Sequence, residues 1–242
     1  MLIEILAYDV ATLYGENGHQ LMLKECFKDH TVMMTSLVSE PAFVKESVDF
    51  IYLGTMTEKY QQILLSQLRP YTQRLKELLE EGVFFLVCGN GLDIFGEWIE
   101  YDDGLRVEGL HLFDFTTTQK YRPRLNCFVL GEYQGLKLVG HKSQFTQSYY
   151  KEGAEQFSFF DVSNGFGLNV NTKKEGIHYK NFYGTNCIGP FLLLNPLFLK
   201  ALLEQLPQPT SLPKGYDALL KAYHQRVIEF ESGEFKQIMG EL

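Results

Sequence analysis

The chain has few cysteines and no obvious way to pair them. Cys26, Cys88, Cys127 and Cys187 contain no CxxC spacing, so neither a zinc ribbon nor a disulfide framework is indicated, and no metal is expected. No cluster of lysine and arginine offsets the formal net charge of −8, which argues against nonspecific nucleic-acid binding. The most apolar stretch, PFLLLNPLFL, is interrupted by Asn195-Pro196 and is too short to span a bilayer. Met1 leads into the strand-like LIEILAYD without a basic segment and apolar run of the secretory kind, so a cytoplasmic protein is expected. Internal repeats and low-complexity tracts are also missing. The one credible linker is PQPTSLP, Pro207–Pro213.

What is present is a chain of 242 residues, 45% hydrophobic and 21% charged, enough to bury a substantial core. LIEILAY and TVMMTSLV read as strands with a helix between them over about Gly18–Phe27. VDFIYLG and VFFLV are near-continuously apolar, as expected of parallel strands buried on both faces. Two helical stretches separate them, the second carrying Leu75, Leu78 and Leu79 on one stripe with Gly82 as its stop. The alternation predicts a three-layer α/β fold with a mainly parallel, doubly wound sheet. From Leu105 to about Ser163 the strands are shorter and turn-separated, which predicts an antiparallel extension of that sheet. IHYKNFYGTN returns as a strand, and Asn195 and Pro196 are the expected cap and first residue of PLFLKALLEQL. Residues 1–206 form the expected main domain, with 207–242 a linker and helix packed on it.

Cys88 closes the VFFLV strand and opens CGNGLDIFGEWI, read as strand, tight glycine turn and helix. That is a nucleophile-elbow layout, in which the turn lifts a side chain off the strand end and aims backbone N–H groups at the same spot. An elbow of this kind predicts an unusual backbone conformation at Cys88 itself. A cysteine without a base is mostly thiol at neutral pH, so the residue reads either as a nucleophile or as a buried cysteine retained in an old elbow. A cysteine hydrolase acting on another small substrate is a third reading, resting on the elbow alone. His141 and His111 are candidate bases, although either is equally accounted for as a packed or surface strand residue.

LYGENGHQLMLK, VCGNGLDIFGEWI, EGLHLFDF and TKKEGIHYKNFYGT together resemble the GatD-type glutamine amidotransferase subunits of the CobB/CobQ-like group, over about Ile5–Leu206. The resemblance implies a flavodoxin-like domain of the class I amidotransferase type. Such subunits hydrolyse glutamine at a cysteine, without a cofactor, and pass ammonia to a MurT-type, Mur-ligase-like partner that amidates lipid II. Carried onto this chain, it makes Cys88 the nucleophile, Gly54 and Gly89 the oxyanion donors, and Arg122 or Arg124 a grip on the glutamine carboxylate. It also exposes departures. The family's return strand ends in a histidine that serves as base, and here GTNCIGP places Ile188 there. Lys142, Gln144 and Gln147 replace an acid, a histidine and an arginine of the pocket, and the glycine-rich loop shrinks to LGTMTE around Gly54. His178 matches a further family histidine and is no substitute for the base. Losses concentrated at one pocket lead to the expectation that glutaminase activity is impaired or absent, with a catalytically silent binding or regulatory subunit as the alternative.

Overall fold

The computed structural model describes residues 1–122 and 124–232. Its first third follows the predicted alternation. Strands β1 (Leu2–Leu6), β2 (Thr31–Thr35), β3 (Phe50–Leu53) and β4 (Phe84–Cys88) are separated by helices α1 (Asn17–Cys26), α2 (Glu58–Leu68) and α3 (Thr72–Glu81). Every residue of β3 and β4 is buried. The edge strand β2 alternates, with Thr31 and Met33 exposed, Val32 and Met34 half-buried, and Thr35 buried at its end. Thr57 caps α2 by accepting from the Tyr60 N–H, and α3 stops at Gly82, whose φ of 83° is accessible to glycine at no steric cost.

The middle of the chain differs from the expected extension. It forms β5 (Trp98–Glu100), β6 (Arg106–Glu108), β7 (Phe115–Gln119), β8 (Leu125–Tyr133), β9 (Leu136–Gln144), β10 (Thr146–Tyr150), β11 (Phe160–Asn164) and β12 (Lys174–Glu175). These make two separate four-stranded sheets, ordered β10-β7-β5-β6 and β12-β11-β8-β9. The β8–β9 hairpin turns on Gln134 and Gly135, both at positive φ, the two-residue geometry that matches strand twist. The return segment is a second hairpin rather than one strand, β13 (Ile177–Tyr179) and β14 (Phe182–Thr185), reversed at Lys180 and Asn181. Helices α4 (Phe191–Leu194), α5 (Pro196–Glu204) and α6 (Tyr216–Glu231) complete the described chain.

The central sheet runs β13-β14-β4-β3-β1-β2, parallel throughout except for β13. One hydrophobic cluster fills its α2–α3 side, and another, with Phe27, Phe159, Tyr183, Phe191 and Phe198, fills the side covered by α1 and α5. Burying each such side chain contributes about 1.5–3 kcal/mol. Most of the aromatic abundance is therefore core, while Phe157 remains 38% exposed. Asn195 does not cap α5 with its side chain. Its amide instead clamps Val139 of β9, accepting from the N–H and donating to the carbonyl at 2.8 Å each, which ties the outer sheet to the α4–α5 corner. Helix α6 packs over β8 and β9 through Tyr223, Val227 and Phe230. Residues 233–242 of the expected C-terminal segment lie outside the described residues. No helix among the described residues is long and apolar enough to cross a membrane.

Candidate active site at the elbow

Cys88 is the last residue of β4 and pairs in register with Thr185, the last residue of β14, so the elbow opens at the C-terminal edge of the parallel sheet. The predicted backbone strain is not on the cysteine, which has φ −119° and ψ 147°, ordinary extended values. Gly89 takes it, at φ +59°, and a Cβ there would fall 2.0 Å from Thr55 Oγ1. Only glycine fits beneath Thr55. The helix expected after the turn is also missing. Gly89–Gly91 and Asp93–Phe95 form two single 3₁₀ turns, because the chain enters β5 at Trp98 and has no length left for a helix. The turn after Cys88 therefore brings no α-helix N-terminus of its own to the sulfur to favour a thiolate.

The residues closest to the sulfur come from the first third of the chain. Cys88 Sγ, one carboxylate oxygen of Glu16 and one ring nitrogen of His19 lie within 4.8 Å of one another, all fully buried. His19 Nδ1 is 2.7 Å from Glu16 Oε2 and 2.9 Å from the Tyr52 hydroxyl, which itself donates to Glu16. The Leu192 N–H donates to His19 Nε2 at 2.8 Å. That contact puts the lone pair on Nε2 and the ring proton on Nδ1, directed at Glu16. Neither nitrogen is free to take a proton from Cys88 or to ligate a metal, so Glu16, His19 and Tyr52 form a closed hydrogen-bonded cluster beside the sulfur rather than a dyad or a metal centre with it. Burial first, then the charge of Glu16 and the neighbouring Cys187, push the Cys88 thiol well above its ordinary range.

The sequence-derived candidates are dispersed around this cluster. Ile188 is buried, and its N–H donates to the His141 carbonyl at 2.8 Å, fixing the segment beyond β14 against β9. His141 packs its ring on Phe128 at 5.6 Å, and burial followed by the charge of Arg124 lowers its pKa. His111 is exposed and paired with Glu108, while His178 stacks on Tyr183. Among the described residues none donates to or accepts from Cys88 Sγ. Gly54 is buried where a Cβ would lie 2.7 Å from the Tyr52 hydroxyl and 3.0 Å from Glu16 Oε2, so no larger side chain fits there. Arg122 is exposed. Arg124 lies over the Phe145 ring at 4.6 Å and donates to the Tyr14 hydroxyl. Lys142 faces the interior, ion-paired with Glu175 and donating to the Gly167 carbonyl. Gln147 accepts from the Val170 N–H.

The cavity at this sheet edge is small, about 100 Å³, against roughly 300 Å³ or more for ordinary small-molecule sites. Gly89, Gln144, Asn186 and Ile188 line it, and Cys88 does not. Beneath it lies Asp93, fully buried, within 3.4 Å of Asn186 Nδ2, Gln61 Nε2 and Ser148 Oγ. Burial pushes its carboxyl up to about 7, against lowering by those hydrogen bonds. The folded chain therefore holds a proton that the unfolded chain releases near pH 3.8. This stabilisation is complete below about pH 4 and is lost as the pH rises to about 7. Asp93→Asn should remove that slope and be the more stable form at pH 8 by on the order of 2–4 kcal/mol, read from urea unfolding at pH 4.5 and 8. Glu16, His19, Tyr52, Asp93 and Asn186 were not singled out from the sequence. The available signal was NGHQ, one turn after a tyrosine-glycine pair.

All four cysteines are buried, and burial raises each thiol. A thiol-specific chromophoric disulfide at pH 8 should therefore titrate almost no thiol in the native chain, and four after unfolding. Rapid native modification at Cys88, located by peptide mass, would contradict the closed cluster.

The sequence pattern of the CobB/CobQ-like glutamine amidotransferase domain matches residues 17–195. The chain is 27% identical over 207 residues to the lipid II isoglutaminyl synthase (glutamine-hydrolyzing) subunit GatD of Staphylococcus aureus, covering 85% of this chain and 84% of that one. It is 28% identical over 225 residues to the subunit of the same name from Streptococcus pneumoniae, covering 85% and 82%. A crystal structure described as a glutamine amidotransferase superposes with a TM-score of 0.55 at 13% identity, covering 84% of this chain and 97% of that one, which supports the shared fold.

Proposed function

The chain belongs to the CobB/CobQ-like glutamine amidotransferase family and is of the GatD type, and from that premise we propose that it is a glutaminase-silent subunit. Its partner would be a ligase-like protein of the MurT kind, and the acceptor a lipid II-like cell-wall precursor. The observation that carries the silent reading is the state of Cys88. Its sulfur is fully buried, is absent from the lining of the cavity, and stands beside a carboxylate and a histidine whose two nitrogens are committed elsewhere. Thiolate attack needs the opposite: an ionised, accessible sulfur with a base that can receive its proton.

The alternative, an active glutaminase with a relocated base, would require His19 to turn away from Leu192 and Glu16. Loss of both hydrogen bonds in a fully buried setting opposes that turn. The partner half of the proposal rests on the relatives, whose names make them subunits of a synthase. A stable complex would bury at least about 1,000 Å² in total. The decisive experiment purifies the chain from its native host and assays glutamine hydrolysis with and without whatever ligase-like protein is retained, beside Cys88→Ala. Retention of that partner with no Cys88-dependent hydrolysis is expected. Elution as a lone monomer removes the partner, and robust hydrolysis removes the silence.

A further inference from the structure

The sheet ordered β10-β7-β5-β6 ends in β6, a three-residue edge strand of sequence Arg-Val-Glu. Across the β5–β6 pair, Trp98 lies opposite Glu108, Ile99 opposite Val107 and Glu100 opposite Arg106. The Tyr101 N–H donates to the Leu105 carbonyl at 2.9 Å and the Gly109 N–H to the Glu97 carbonyl at 2.6 Å, which sets the alternation of the ladder. Leu105, Val107 and Gly109 therefore turn their backbone groups to β5, while Arg106 and Glu108 turn theirs to the open edge. The Glu108 carbonyl there accepts from the guanidinium of Arg69, an exposed side chain. The other end of the sheet is different. β10 meets the chain again at Leu168, whose carbonyl accepts from the Ser148 N–H at 3.1 Å.

Arg-Val-Glu is complementary to itself. Two copies run antiparallel, with Val107 on a two-fold axis, set Arg106 against Glu108 of the other copy, twice over. In that register the outward N–H and C=O of Arg106 face those of the other copy's Glu108, so backbone bonding and charge pairing select the same alignment. The side chains are placed for it. Arg106 lies over the Trp98 ring at 4.2 Å and donates its Nε to Glu100 at 2.6 Å, which leaves its terminal nitrogens for a second carboxylate. Glu108 gives one oxygen to His111 at 2.8 Å and keeps the other. We propose that β6 is a self-association edge, pairing antiparallel with β6 of a second copy of this chain, with Arg69 as the cap that keeps the pairing weak.

Edge strands are prone to pair, and a charged side chain over the edge is a common guard against it. Leu105, 56% exposed beside the strand, is covered when the edge is occupied. Three residues a side fall short of the roughly 1,000 Å² that stable interfaces bury, so the dimer is a reversible one. Neither Cys88 nor a ligase-like partner enters the pairing, and it goes beyond the function proposed above.

Sedimentation velocity of the intact chain alone, from about 5 to 500 μM, measures the equilibrium. A monomer–dimer equilibrium is expected, about three- to ten-fold tighter in Arg69→Ala, which frees the Glu108 carbonyl. Arg106→Glu and Glu108→Arg should each weaken it at least about ten-fold, because like charges then stand opposite one another. An equimolar mixture of these two variants should associate again, since every cross-strand pair between them is of opposite charge. Arg69 lies outside the strand, so its variant keeps the test open if a charge reversal lowers the melting temperature. A native chain and an Arg69→Ala variant that both stay monomeric overturn the proposal. So does a dimer that survives both reversals, or a mixture that stays monomeric while its components melt near the native chain.

Discussion

Incubated with glutamine, the purified chain is expected to release ammonia no faster than its Cys88→Ala variant, and Ile188→His is expected to leave that result unchanged. Removing one member of a nucleophile–base unit typically lowers turnover by about 10⁴–10⁶. Here several conditions fail together. The thiol is pushed well above its usual range by burial and by Glu16, so the thiolate is a trace species at neutral pH. The sulfur does not face the cavity, and the cavity is too small for the substrate. A histidine at position 188 would stand on a segment whose N–H is bound to His141, directing it into the cavity that Cys88 does not line. Proton transfer would be repaired without a substrate in attack position, and positioning is a large share of catalysis. Coupled detection of ammonia and of glutamate measures both forms. Cys88-dependent turnover in either one would reject the account of the site given above.

How much of this could be read beforehand depended on whether the cause was local. The hairpin strands Leu125–Tyr133 and Leu136–Gln144 fall in the stretch expected to hold short, turn-separated strands, because alternation and a two-residue turn are local signals. Cys88 at a strand end was equally local, because VFFLV followed by glycines admits few other readings. The helix after the elbow failed because GLDIFGEWI has helical-looking apolar spacing, and only the pairing of Trp98–Glu100 with Arg106–Glu108 and Phe115–Gln119 takes those residues away. Tertiary pairing overrode local preference. The same holds for the antiparallel strands, whose presence was legible while their number and their division into two sheets were not, because register with a distant strand decides both.

The site divides along the same line. Ile188 could be found by comparison along one strand end. His19 could not, because its meaning comes from Leu192, which lies 173 positions away, and from Tyr52 on β3. Lys142 was read as a pocket substitution, and the structure places it in the interior against Glu175, 33 positions further on. That pairing supplies a structural reason for the change at position 142: the lysine there serves the fold.

Replacing that lysine should therefore carry a large cost in stability. Lys142 and Glu175 are 1% and 0% exposed, and Glu175 Oε1 also accepts from Thr185 Oγ1 at 2.9 Å and the Asn186 N–H at 2.8 Å. Lys142→Met would leave a carboxylate buried without its cation, and Glu175→Gln would leave an ammonium buried without its anion. Each should destabilise the chain by about 3–5 kcal/mol in urea unfolding. The double variant should fall well short of the sum. Glutamine at 175 still accepts from Asn186 and Thr185, and methionine fills the lysine's apolar path, so no unpaired charge remains. A coupling energy of at least about 2 kcal/mol is expected. Strict additivity would mean that the two groups do not act as a pair.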